Sequence, residues 1–255
     1  MSAQRPVQLL GVGVDALTLD TLLERVSGLV DARGQATVSY VNVHVLNTAA
    51  SDPALRGFLN ASDVCFADGS GVVLGARILG RALPGRMTGA DWIHDLAVHA
   101  AGRGWRLAWI AGKPGVTDRA ARALEAQHPG VQFVFTDHGY HPSQGPGHDD
   151  LLARLNAARP DVVLVGMGTP IQERWVAANR ARIDAPVTWC VGATADFVSG
   201  EVSRGPELLY TNQEWLARLL VDPRRLWKRF LVGNPLFVAR VVQQRIAGTR
   251  DAGSH

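Results

Sequence analysis

Cysteine is nearly absent from this chain: 255 residues contain two, Cys65 and Cys190. Each stands inside an apolar run, where a thiol packs as a small hydrophobe. No disulfide framework or cysteine metal cluster can be built from them, and a reducing compartment is expected. No apolar run reaches the roughly 20 residues that cross a bilayer. Residues 1–18 lack the basic segment and sustained apolar stretch of a signal peptide, so a cytoplasmic location is expected, with contact at the inner membrane surface left open. Also missing are a Gly-x-Ser-x-Gly elbow, a Gly-Lys-Ser/Thr phosphate loop, an Asp-x-Asp pair, internal repeats and low-complexity segments. These absences remove the commonest hydrolase, kinase and metal-dependent transferase signatures.

What is present is enough apolar sequence for a full core: 47% of the residues are hydrophobic, and one large domain, or one with an appendage, is expected. Strands are predicted over 7–14, 37–41, 64–67, 106–111, 131–135, 162–165 and 187–191. Helices are predicted between them, over 20–32, 52–60, 72–79, 91–101, 117–127, 149–158 and from Pro170 onward. Asp20, Asp52 and Asp91 are the expected helix starts. The strand runs are continuous and β-branched, as strands covered on both faces require. Strands alternating with helices make the fold class α/β, a doubly wound, mostly parallel sheet flanked by helices.

The character changes at 200–206, which reads as a boundary between a core of 1–200 and an appendage of 201–255. Two helices are predicted there, over 208–220 and 224–246, broken at Asp222-Pro223. From 208 to 250 eight basic residues stand against two acidic ones, interleaved with Trp215, Leu216, Trp227, Phe230, Leu231, Leu236 and Phe237. A C-terminal basic amphipathic helical appendage suits an anionic partner, either a membrane interface or nucleic acid. For part of it, packing of the apolar face on the core is an equal reading.

The rest of the chain is organised around residues 161–175, DVVLVGMGTPIQERW, read as strand, loop and helix. Gly166 and Gly168 let backbone N–H groups approach a ligand, with Thr169 as cap and Pro170 in the first turn. A helix N-terminus of that kind favours an anion. Gln172, Glu173 and Arg174 supply an amide, a carboxylate and a guanidinium near the same mouth. A bare G-x-G is equally an ordinary strand-to-helix turn.

Asp68 is the sharpest chemical candidate. A carboxylate at the tip of a buried strand, followed by Gly69, has the placement of a general base, and the competing role is a helix cap. Asn42 and Gln172 are neutral amides at other strand ends, able to orient hydroxyl or acetamido groups or to cap loops. Arg86, in a glycine-rich loop, suits phosphate, or else a solvated surface. Asp91 reads as an N-cap, and His44 and His94 as structural or polar contacts. His138 and His141 lie in, and His148 directly follows, a Pro/Gly/Ser-bearing loop over 136–147, whose composition favours a solvated connection over a metal site.

Taken together, VNVHVLN, FADGSGVVLGARILG, RMTGADW, VGMGTPIQERW, VGATADFVSGEVSRGP and EWLARLLVDPRRLWKRFL resemble the WecG/TagA/CpsF family of bacterial glycosyltransferases, over about residues 7–242. The resemblance implies transfer of a sugar, often N-acetylmannosamine or its uronic acid, from a UDP-sugar to an undecaprenyl-diphosphate-linked sugar at the cytoplasmic membrane face. The products are precursors of teichoic acid, capsule or other exopolysaccharide. It implies Asp68 as the base at the acceptor hydroxyl, Asn42 at donor or acceptor, Arg86 on diphosphate and Gln172 on the donor. The loop Gly166, Gly168 and Pro170, with Glu173, would receive the nucleotide. The tail, through Arg218, Arg225, Lys228 and Arg229, would close over the site and touch the membrane. Tyr40 and Ala193 stand where many relatives carry threonine and glycine, which leaves the donor pocket's shape open.

Transfer from UDP requires a base at the acceptor and cations or N–H groups at the leaving diphosphate. With arginines and a helix end in those places, the expected reaction is inverting, needs no metal and uses no cofactor. The partners expected are the UDP-sugar, the lipid-linked acceptor, the membrane surface and a possible second copy of the chain, with no nucleic acid. Two rival readings are a nicotinamide-dependent oxidoreductase, weakened because Ile171 breaks G-x-G-x-x-G, and a nucleic-acid-binding protein using the Arg/Trp tail.

Overall fold

The computed structural model describes residues 6–142, 144–202 and 223–252, with the side chains of Arg225 and of 249–252 outside the description. Its centre is a six-stranded, all-parallel sheet made of β3 (Ala36–Val41), β4 (Val64–Ala67), β5 (Arg106–Ala111), β6 (Gln132–Asp137), β7 (Val162–Gly166) and β8 (Val187–Cys190), in the order β4-β3-β8-β7-β5-β6. The continuous apolar runs are the reason. Val162, Val163, Leu164 and Val165 are all 0% exposed, which only a strand covered on both faces allows. Helices α1 (Leu19–Asp31), α2 (Val43–Ser51), α3 (Pro53–Ala61), α4 (Ser70–Ile78), α5 (Gly89–Arg103), α6 (Val116–Gln127), α7 (Pro146–Ala157), α8 (Ile171–Asn179) and α9 (Thr194–Val198) connect and cover the strands. On one face an aromatic group locks the layers: Trp92 stacks on Trp189 at 4.7 Å, and Phe66 meets both edge-on.

The predicted first strand is instead a hairpin outside the main sheet, β1 (Val7–Leu9) against β2 (Val12–Val14), antiparallel. Leu10 and Gly11 both adopt positive φ, 51° and 82°, the conformation a two-residue hairpin turn demands. Asn60 clamps that turn, donating to the Gly11 carbonyl and accepting from the Gly13 amide, both at 2.9 Å. Helix starts also shift. Thr18 caps α1 through a reciprocal bond with Thr21, so Asp20 lies within the first turn. Asp52 does cap α3, accepting from the Leu55 amide at 3.0 Å. Asp91 is not a cap: α5 begins at Gly89 after Thr88, and the Thr88 hydroxyl donates to the Asp91 carboxylate.

The C-terminal arm, expected as one helix over 224–246, is a short helix Pro223–Trp227, a wider π turn Lys228–Val232 and a long helix Gly233–Ala252. The predicted helix over 208–220 lies outside the described residues. The long helix is fastened to the core. Phe237 and Val241 are buried in one cluster with β1, β2, α2 and α4. Arg240 donates to the Asn47 carbonyl and side-chain oxygen, each at 3.0 Å, and Arg245 to the Ile78 carbonyl at 2.6 Å. Gln244 binds the hairpin through the Leu10 amide and the Gln8 carbonyl, both at 2.9 Å. Two of the arm's basic residues therefore bind backbone of the core. Among the described residues no helix is long and apolar enough to cross a membrane.

Candidate active site

Parallel strands send all their C-terminal ends to one edge, and open α/β sheets collect ligands there. At that edge a cleft of about 680 Å³ opens between the tips of β3 and β4, the start of α4 and the C-terminal arm. Asn42, Asp68, Arg86 and Arg229 all line it, together with His44, Ser70, Thr88, Phe230 and Asn234. Asn42 and Asn234, far apart in sequence, meet here because the long helix docks on α2 and α4.

Asp68 follows β4 directly. Its own amide donates to the Val41 carbonyl at 2.7 Å, which ties the two strand tips together. The cap reading of Asp68 is overturned: the N-cap position of α4 is Gly69, at φ +91°, and no side chain caps that helix. Its carboxylate instead accepts from Asn42 Nδ2 at 3.1 Å. Of the roles foreseen for Asn42, the structure shows the capping one. Its Oδ1 caps α2 by accepting from the Val45 amide at 3.0 Å, which fixes the side chain and leaves Nδ2 aimed at Asp68. Arg86 Nη2 lies 3.8 Å from Asp91 Oδ2.

The π turn of the arm brings Arg229 and Phe230 into the cleft, with the Arg229 guanidinium 5.7 Å over the Phe230 ring. Lys228 is exposed and lies beside the Trp227 ring at 5.6 Å. Arg218 is outside the described residues, as is the Arg225 side chain. His44 loses proton affinity, first through burial and then through the Arg229 charge, and so stands neutral in the cleft wall.

The structure does not bring Gly166, Gly168, Pro170, Gln172 or Glu173 into the lining of this cleft; the loop after β7 lies beyond it. Helix α8 starts one residue later than expected, with Pro170 at the N-cap position, and the Thr169 hydroxyl donates to Glu173 Oε1 at 2.8 Å in place of capping. Gly166 answers to packing: a Cβ there would stand 2.3 Å from the Gly192 carbonyl and 2.9 Å from Ala111 Cβ. Gly168, at φ +78°, has open space around it. Gln172 and Glu173 are 0% and 1% exposed. The Gln172 amide bridges inward, donating to Glu173 Oε1 at 2.8 Å and accepting from the Gly192 amide at 3.0 Å. Arg174 points away to Asp52 at 2.9 Å. Burial pushes the Glu173 carboxyl above its ordinary range, against the bonds from Gln172 and Thr169.

Tyr40 lies between the Asp68 cleft and this loop. It interacts with the charges of Glu173 and Asp68 and bonds to Thr169, and a Cβ on Gly192 would stand 2.4 Å from its hydroxyl. Burial first, and the two carboxylates next, raise its phenol far above the ordinary tyrosine value, so it stays protonated. The sequence marks Tyr40 only as a departure from the threonine of many relatives, not by these contacts. Thr88, Phe230 and Asn234 carried no sequence signal as cleft residues, since the docking of a distant helix and a loop places them there. The loop histidines separate: His148 is on α7, 2% exposed and bonded to Asn179 at 2.8 Å, whereas His138 and His141 follow β6.

A carboxylate steered by an amide, with guanidinium groups in the same cleft of a parallel α/β sheet, equips the site to activate a hydroxyl and bind an anion, the two needs of group transfer. The chain belongs to the glycosyl transferase WecG/TagA/CpsF family, whose model matches residues 7–251, and it is a glycosyltransferase. It is similar to the N-acetylglucosaminyldiphosphoundecaprenol N-acetyl-beta-D-mannosaminyltransferase of Staphylococcus aureus strain NCTC 8325, 25% identical over 244 residues that cover 94% of this chain and 93% of that one. The protein of the same name from strain MRSA252 is likewise 25% identical over 244 residues.

Proposed function

We propose that the protein transfers an N-acetylmannosamine-type sugar from UDP to an undecaprenyl-diphosphate-linked sugar, with inversion at the anomeric carbon and without a catalytic metal. The observation that carries this reading is the Asn42–Asp68 pair in a cleft that also holds Arg86 and Arg229. Asp68 takes the proton of the acceptor hydroxyl as that oxygen attacks the anomeric carbon from the face opposite the leaving UDP. The C–O bond to the diphosphate breaks, and its electrons settle on the diphosphate oxygen. Asn42 holds the Asp68 carboxylate in register. Arg86 and Arg229 stabilise the charge that develops on the diphosphate, a role in which one well-placed donor contributes about 10²–10³-fold in rate.

The nucleotide rests against the 166–170 loop. Gly168 and Pro170 front it there, and Gly166, Gln172 and Glu173 hold the loop's shape from behind. The division of labour is a catalytic core over 1–200 and an arm over 201–255 that closes the cleft and rests on the membrane. Trp227, Leu231, Val232 and Leu236 support the second role, being large apolar side chains exposed by 42–56% next to the cleft. Arg218, Arg225 and Lys228 are the cations proposed for headgroup or diphosphate contact. The name of the Staphylococcus aureus relatives supports the acceptor and the sugar.

The decisive experiment combines purified protein, a lipid-diphosphate-GlcNAc analogue and a panel of UDP-sugars, with UDP release and product mass as readouts. Acceptor-dependent UDP release with inverted product, unchanged by chelator and lost in Asp68→Asn, is expected. Retention of configuration, or abolition of turnover by chelator, overturns the mechanism.

A further inference from the structure

Outside the cleft, the most organised group of polar side chains is at the far edge of the sheet, where β6 ends. Asp137, His138 and His141 each offer one ligand atom there, all within 4.8 Å of one another. Asp137 Oδ1 and His141 Nε2 are already 2.9 Å apart, and both side chains are only 13% exposed. The two imidazoles stack, ring centres 4.1 Å apart and planes 11° from parallel. Arg154 Nη2 engages the other carboxylate oxygen, Oδ2, at 3.0 Å, and its Nε binds Asp150. The His138 backbone amide donates to Oδ1 at 2.8 Å. The carboxylate is therefore fixed with one oxygen turned to the histidines, the support a ligating carboxylate ordinarily has from its surroundings.

We propose that Asp137, His138 and His141 bind a divalent transition metal of the zinc type, at a site that shapes the protein and takes no part in sugar transfer. Two imidazoles and one carboxylate suit zinc, cobalt or nickel, whereas magnesium and calcium prefer all-oxygen sets. Bonds of about 2.0 Å in tetrahedral geometry put neighbouring ligand atoms roughly 3.3 Å apart, so the 2.9 Å pair opens slightly as the ion replaces the proton between them. His141 then binds as the neutral ring, with Nε2 carrying the lone pair and the ring proton on Nδ1. His138 contributes its one lone pair by giving up the 3.2 Å bond that its Nδ1 accepts from the Tyr140 amide. Solvent supplies the fourth ligand.

The location gives the ion a purpose. Between the two histidines, the Gly139 amide donates to the Gly112 carbonyl at 2.9 Å. A Cβ on Gly139 would stand 3.1 Å from Met167 Cγ. The backbone carrying the ligands thus lies on the end of β5 and on the 166–170 loop, and an ion pinning it would brace that loop from outside. None of the three ligands lines the Asp68 cleft.

The test uses the full chain stripped with chelator and titrated with Co²⁺, then with Zn²⁺. Wild type is compared with His138→Ala, His141→Ala and His141→Asn, the last keeping a polar contact to Asp137 should the alanine variant misfold by circular dichroism. His128→Ala, at the 3.0 Å pair with His94, is the control. Expected are one equivalent of tetrahedral Co²⁺ bands, displacement by Zn²⁺, and a rise in Tm with Zn²⁺. Each site variant should weaken binding more than about tenfold, the low end of what even a lost supporting partner does, while the control binds as wild type. Absence of bands in wild type, or equal affinity in the site variants, overturns the assignment.

Discussion

Asn42 Nδ2 stands 3.1 Å from Asp68 Oδ2 while the same side chain caps α2 through Oδ1. One amide thus sets both a helix start and the orientation of the carboxylate proposed as the base, and substitutions can separate the two. Asp68→Asn should leave the fold intact and lower transfer by about 10²–10⁴-fold, the usual contribution of a positioned base. Asn42→Asp keeps a capping oxygen but sets a like charge beside Asp68, which raises a carboxyl's pKa. Its acid limb in kcat/KM against pH should move to higher pH than in wild type. An unmoved limb would show that the two side chains are not coupled.

Gly75 and Phe237 make a matched contact. A Cβ at residue 75 would stand 2.6 Å from the end of the Phe237 ring, which is 1% exposed. Gly75→Ala should therefore destabilise by about 1–3 kcal/mol, the usual effect of overpacking. Phe237→Leu alone should also destabilise, but combined with Gly75→Ala it should recover part of the loss. Strict additivity in urea melts of the four proteins would show that the ring yields without effort.

Glu173 sets a pH dependence of known sign. Its folded pKa is raised above the ordinary 4.5 because burial penalises the charged form. The protonated group is favoured in the folded state, so its stabilising contribution is complete below 4.5 and is lost as pH rises through the folded value. Glu173→Gln, which cannot ionise, should flatten stability against pH over that window and show its greatest relative gain above it. Parallel curves for wild type and variant in thermal melts from acid to neutral pH would contradict the assignment.

The exposed apolar side chains of the arm give a prediction that separates membrane contact from chemistry. Trp227→Ser with Leu231→Ser should reduce binding to anionic vesicles and raise KM for a long-chain lipid acceptor several-fold. With a short-chain soluble acceptor the same variant should match wild type in kcat and KM. Equal loss with both acceptors would place these residues in cleft closure alone.

The six sheet strands were legible because a continuous β-branched run has few other uses. The hairpin of 7–14 was not, since its turn depends on positive φ at a leucine, which sequence does not advertise. Helix α2 escaped notice for a related reason: VHV opens it with residues of modest helix propensity, and the Asn42 cap and tertiary packing decide the matter. Asp68, Asn42 and Arg86 were each named from residue type and place and Arg229 through the family resemblance, and the structure gathers all four in one cleft. Gln172 and Glu173 were also named, but polar residues in a first helical turn do not reveal which way they face. Here they face inward, and the loop's shape depends on them. The arm was read as amphipathic, yet which of its arginines serve the core is visible only once Arg240 and Arg245 meet the carbonyls of Asn47 and Ile78.

The fastening of the long helix has a mechanical outcome. Phe237, Arg240, Gln244 and Arg245 grip the hairpin, α2 and α4, so the long helix that follows the exposed side chains of Trp227, Leu231 and Val232 is anchored to the core beside the Asp68 cleft. Whatever surface those side chains settle on is then held at a set height from the reacting atoms. On the proposed reading, the protein would then gauge length, admitting an acceptor by how far its terminal hydroxyl projects from that surface as well as by its chemical identity.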